Sequence, residues 1–210
     1  MLMQEILDIE PNQFWHELPH EKRLLQKKRG LSRLTYFLLF RWFEKTASFP
    51  IDIKTIPLNL IEHGIVLSEE QYSYEDLLDF FEKERLINRY KQKIREYFEF
   101  KEFNKDCPLL CNYLMTNIFK EKNDEVLKSK LCLYLKSIRT EIPSDADLLE
   151  LIKNKKKDKE EQFFSQIDKL LSDKDKNYID DYLLTSNDFD GVCQFLRQDS
   201  SDSTKEGVAN

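Results

Sequence analysis

Glycine and proline are scarce: four and six of 210 residues. The glycines, Gly30, Gly64, Gly191 and Gly207, stand far apart, so no glycine-rich loop can cradle a phosphate. Histidine occurs three times, and no Ser or Cys has a histidine near it in sequence to suggest a nucleophile. The four cysteines, Cys107, Cys111, Cys132 and Cys193, lack paired C-x-x-C spacing. Each lies in or beside a helical apolar pattern, which fits reduced buried thiols. No positively charged segment precedes an apolar run at the N-terminus, so no signal peptide is expected. The longest apolar segment, Leu31–Phe43, is too short to span a bilayer and contains Arg41.

Sustained apolar/polar alternation is also missing, and that excludes a sheet-based fold. What remains is 40% hydrophobic and 34% charged, with apolar residues at helical spacing. The expected fold is all-α and multi-helical, with short connections. The densest helix is predicted over Leu31–Ser48, ending before Pro50. A helix from Pro19 to about Arg29 precedes it, with Gly30 as its cap. Further helices are expected over 54–63 (capped by Gly64), from Ser73, over 84–98, from Pro108, from Asn123 and from Ser172. The run Lys153–Glu161 reads as the exposed part of one long helix, and 188–197 as a last short element. The segment Thr140–Ser144 suggests a boundary between two small subdomains, 1–140 and 141–210.

The net charge of −6 conceals a polarised chain. Residues 1–19 hold four acids and no Lys or Arg, residues 20–139 hold 23 cations against 18 acids, and residues 140–210 hold 10 against 17. The helix 84–98 is strongly amphipathic. Between 85 and 95 it carries five cations, Arg85, Arg89, Lys91, Lys93 and Arg95, and no acid. A second basic cluster comprises Lys22, Arg23, Lys27, Lys28, Arg29 and Arg33. Lysines and arginines that neutralise phosphates are the general source of nucleic-acid affinity, so these two clusters are the candidate DNA contacts. Solvated helical faces, or a protein-binding surface, would account for the same composition. His16-Glu17-Leu18-Pro19-His20 matches H-E-x-x-H, but Pro19 opposes the helix that zinc ligation needs, and a turn explains it better. No cofactor or metal is expected.

Three short motifs in order resemble one family. Phe14-Trp15, Leu18, Lys28-Arg29-Gly30, Arg33-Leu34 and Phe49-Pro50 form the first. Arg89, Lys91, Ile94-Arg95, Phe98 and Phe100 form the second. Ile142-Pro143, Leu148 and Leu151-Ile152 form the third. Together they are similar to the N-terminal region of the Tn-three family of replicative transposases. Two departures are Glu99 in place of the glycine usual before Phe100, and Tyr90 in place of a usual histidine. The resemblance implies a helix-turn-helix-like arrangement that binds the terminal inverted repeats of a transposon as double-stranded DNA. It implies a bacterial, cytoplasmic, nucleoid-associated protein, no enzyme by itself, with the Mg²⁺-dependent catalytic domain in the remainder of a longer chain. Self-association and contact with that remainder are further expected partners. The alternative expectation is a helical interaction or oligomerisation module that makes no direct DNA contact.

Overall fold

The computed structural model describes residues 10–16, 21–68, 72–121 and 123–185, and the side chains of all but Lys22, Arg23 and 180–185. The element expected at 188–197, Cys193, the polar tail and most of the His16–His20 motif lie outside these residues. The described chain is helical without strands: α1 (Pro11–Phe14), α2 (Lys22–Leu25), α3 (Gly30–Thr46), α4 (Leu58–Leu67), α5 (Tyr74–Phe81), α6 (Glu84–Phe98), α7 (Pro108–Asn117), α8 (Asp124–Ser137), α9 (Asp145–Leu170) and α10 (Asp173–Thr185). The all-α expectation holds. No helix among the described residues is long and apolar enough to cross a membrane.

The core grows around α3. Every residue from Leu34 to Phe43 is buried, so this helix is covered around its whole circumference. α4, α5 and α6 pack against it, while α1 packs on α4. Phe14, Trp15, Leu60, Ile61, Leu77, Ile87 and Ile94 complete that cluster. Trp15 is fixed at both ends. Its indole N–H donates to the Leu60 carbonyl at 2.7 Å, and its ring lies where a Cβ on Gly64 would approach to 2.1 Å. Gly64 therefore sits inside α4 as a close-approach residue, not as the cap that its position suggested.

Full coverage leaves Arg41 no route to water. It is 4% exposed and its guanidinium forks onto Glu21, itself 2% exposed, with Nη1–Oε1 at 2.9 Å and Nη2–Oε2 at 2.6 Å. Nη1 also donates to Glu44 at 2.8 Å, and Nη2 to the His16 carbonyl. The rings of Phe37 and Phe40 lie 4.9 and 5.9 Å from the guanidinium. The sequence marked Arg41 as an interruption of an apolar helix; the fold uses it to tie the N-terminal segments to α3.

Local signals place several termini correctly. Ser73 and Asp76 form a reciprocal capping box at α5, Asn123 caps α8, and Ser172 accepts from the Asp175 N–H at α10. The helix expected over Pro19–Arg29 is instead the four-residue α2 among the described residues. After Leu25 the chain turns, and Gly30 adopts φ 53° at the entry to α3. Glu99, where the family resemblance expects glycine, has φ 58° and ends α6 in the left-handed conformation. The turn that glycine would favour is therefore made by glutamate.

A second cluster comprises Leu110 and Leu114 of α7, Leu127, Leu131 and Leu135 of α8, and Ile142, Leu148, Leu151 and Ile152. Ala47 belongs to it, and Phe100 packs against both clusters. Backbone bonds join the same places. The Ile142 N–H donates to Ala47 O at 2.8 Å, Lys101 N–H to Arg139 O at 2.7 Å, and Glu141 N–H to Lys101 O at 2.9 Å. Residues on both sides of Thr140 thus share one core. The chain divides into compact units between Lys156 and Lys157, within the continuous helix α9 that carries the charged run.

Removing one partner of a buried ion pair strands the other, at a cost of about 3–5 kcal/mol. Arg41→Ala is expected to lose that much stability in urea titration, and Glu21→Leu with Arg41→Met to recover most of it. Glu99→Gly is expected to raise stability by about 1 kcal/mol, because glycine holds a left-handed backbone without the Cβ clash. A higher urea midpoint at unchanged slope would register it.

Candidate nucleic-acid interface

The two basic segments, more than fifty residues apart in sequence, meet at the start of α3. Tyr36 of α3 and Tyr90 of α6 stand edge to face at 5.3 Å. The Ser32 and Tyr90 hydroxyls are hydrogen-bonded at 2.6 Å. The Lys28 ammonium lies over both rings, 4.2 Å from Tyr36 and 4.3 Å from Tyr90. Such cation–π contacts contribute roughly 0.5–2 kcal/mol each, depending on desolvation. Burial pushes the Lys28 pKa down, and the nearby charges of Lys93 and Arg89 push it further. Lys28, Arg89 and Lys93 therefore form one group of cations drawn from both segments.

Around this group Lys27, Arg29 and Arg33 are exposed, as are Arg85, Arg89 and Lys93 on α6. A hollow of about 440 Å³ beside it is lined by Lys28, Arg29 and Arg33, over Trp15, Leu34 and Phe37, with no carboxylate in its wall. The side chains of Lys22 and Arg23 lie outside the described residues.

The other flank of α6 has a different character. Arg95 is bound to Glu141 at 2.9 Å and to Glu102 at 3.4 Å. It anchors the segment that carries the Lys101 and Ile142 backbone bonds. Lys91 lies against the ring of Phe49 at 5.5 Å, and burial pushes its pKa down while Glu141 pushes it up. Arg85, Arg89, Lys91 and Arg95 border an open cleft of about 1130 Å³, whose wall also carries Glu96, Glu102, Glu141 and Asp147. Two of these carboxylates, Glu102 and Glu141, are bound to Arg95, so the Arg95 end of the cleft offers no net attraction for a polyanion, whereas Arg85 and Arg89 stand at both the cleft and the basic surface. The predicted set thus divides: Lys27, Lys28, Arg29, Arg33, Arg85, Arg89 and Lys93 form the basic surface, whereas Arg95 serves the fold and Lys91 is half-buried beside it. Of the residues that bring the segments together, Tyr90 is marked in the sequence only as a departure from the histidine usual in the resembling family, and Ser32 and Tyr36 are not singled out. An aromatic at the cation-rich edge of each helix was their sole signal.

Among the described residues, no group of three His, Cys, Asp or Glu side chains is arranged to hold a metal ion. Cys132 has its thiol pKa raised by burial, and Cys107 and Cys111 are half-buried without a disulfide. In comparison with known proteins, no family model and no curated protein matches the chain.

Burial raises the Tyr36 pKa to about 12, with smaller contributions from Tyr97, Glu96 and Tyr90. The folded protein then holds a proton that the unfolded chain releases near 10. Stability is fully present below pH 10 and falls between pH 10 and about 12. Ultraviolet titration is expected to show a phenol ionising near pH 12 that disappears in Tyr36→Phe.

Proposed function

We propose that this chain binds double-stranded DNA through the surface formed by Lys27–Arg33 and the N-terminal half of α6. The observation that carries this reading is the meeting of Lys28 with Arg89 and Lys93: burial first, and then the charges of Lys93 and Arg89, lower the Lys28 pKa, and no carboxylate is among the groups that set that shift. Like charges held together raise the free energy of the unliganded surface, and a phosphate relieves it. Lysines would neutralise phosphates, and arginines would reach guanine edges. The resemblance of the three motifs to the N-terminal region of Tn-three transposases supplies the finer proposal: the duplex is the terminal inverted repeat of a transposon, and catalysis resides in other parts of a longer chain.

A helical interaction module is the second reading, and a different observation favours it. In the unit after Lys156 no described side chain is buried, and Phe163, Phe164, Leu170 and Tyr178 are each more than half exposed. Amphipathic helices gain stability by covering their apolar face, which points to a protein partner for this unit.

Salt separates the two. If phosphates are bound, affinity for a duplex falls log-linearly with salt, and Lys93→Ala shallows that slope by about 0.9. Arg85→Ala with Arg89→Ala is expected to weaken binding to the element's terminal repeat at least tenfold with helicity intact. Binding measured by fluorescence anisotropy that ignores salt would sink the DNA reading. Affinity is also expected to fall as pH rises through the lowered Lys28 pKa, because the neutral amine no longer holds a phosphate.

A further inference from the structure

The solvent-facing stripe of α6 is not made of cations alone. Successive residues at 100° place Arg85, Asn88, Arg89, Gln92 and Glu96 within one stripe about 100° wide, and all five are exposed. The opposite face, Ile87, Tyr90 and Ile94, is buried against α3. Two primary amides therefore alternate with two guanidiniums at the centre of the surface, while Lys28 and Lys93 stand on its flank. These residue types differ in what they recognise. A lysine ammonium is a point charge, whereas a carboxamide offers a donor and an acceptor side by side, matching the N6 and N7 edge of adenine in the major groove. A guanidinium matches the O6 and N7 edge of guanine.

We infer that Asn88 and Gln92 are base-reading residues, each selecting an adenine, and that Arg85 and Arg89 select guanines beside them. This rests on the DNA-binding reading above. Gln92 supports it in detail. Its Nε2 donates one hydrogen bond to Glu96 Oε1 at 2.9 Å, which fixes the amide and leaves its oxygen and second N–H for a base. The charge distribution sets how far α6 enters the groove. Arg85, Asn88, Arg89 and Gln92 line one cleft with Glu96, Glu102 and Glu141, but Glu96 lies in the C-terminal half of α6 and Glu102 and Glu141 are bound to Arg95 there, where they repel phosphates. The duplex is thereby confined to the N-terminal half, from Arg85 to Gln92. An α-helix fits the major groove, and recognition helices read bases with their N-terminal residues.

The test uses the full chain and a library of randomised duplexes, selected in moderate salt and sequenced. The wild type is expected to enrich a short motif containing adenine and guanine. Against the enriched duplex, each correct base is expected to be preferred by roughly 5- to 150-fold over its substitutes. Asn88→Ala and Gln92→Ala are each expected to reduce that ratio to near one at a single A·T pair. Alanine at these exposed helical sites costs no helix propensity, and thermal unfolding verifies that each variant folds. Enrichment of a motif that both variants read as well as the wild type overturns the inference and leaves the DNA reading standing. Salt-dependent binding with no enriched motif does the same. No binding to any duplex, even at low salt, removes both.

Discussion

One buried charge organises the first core. A helix covered on all sides can carry a guanidinium only if its charge is paired, because an unpaired buried charge costs several kcal/mol. Around Arg41 those partners come from three places: the His16 carbonyl, the Glu21 carboxylate and Glu44 one turn further along α3. The first two belong to segments with little secondary structure of their own. The charge therefore specifies where the N-terminal chain lies, which the surrounding apolar contacts, being non-directional, do less sharply. Phe14 and Trp15 are carried with it into the groove between α3 and α4.

That placement matters for the basic surface. The chain from Glu21 must turn after Leu25 and reach Gly30 within a few residues, and this delivers Lys28 to the two tyrosines. The surface is thus built by packing rather than by a loop: Tyr36 and Tyr90 join α3 to α6, and their faces hold a cation pointed at two others. The mixed cleft on the far flank shows the opposite arrangement, with arginine spent on intramolecular carboxylates. A single amphipathic helix therefore serves two purposes, one on each flank, and net charge counted along the sequence cannot separate them.

Helix identity was legible because it rests on local chemistry: capping residues, Pro108 at a first turn and an apolar period near 3.6. The scarcity of glycine and the absence of alternation gave the fold class for the same reason. What depended on distant residues was hidden. Arg41 looks like a break in an apolar run until Glu21 is placed beside it. Arg95 looks like its neighbours in a basic helix until Glu141, forty-six residues away, pairs with it. Gly64 resembles a cap because a close approach by Trp15 has no local signature. Thr140–Ser144 resembles a boundary because extended, proline-containing sequence looks alike whether it ends a core or crosses one. In the basic cluster the cations drew attention by charge, and the uncharged amides among them did not.

The extended segment around Thr140 also bears on how the first unit comes together. Its bridges pair Ser48 with Ile142 and Lys101 with Thr140, both parallel. Such pairings bring together residues far apart in the chain, so they form only after a long loop has closed and its entropy has been lost. Until then Arg95 lacks Glu141, and the backbone groups of Ala47 and Lys101 lack their partners. During synthesis, the α3–α6 surface would emerge from the ribosome well before the segment that braces it. A nascent chain would thus present its cations together with Glu96 and Glu102 first, and acquire Glu141 and Asp147 on the far flank only later.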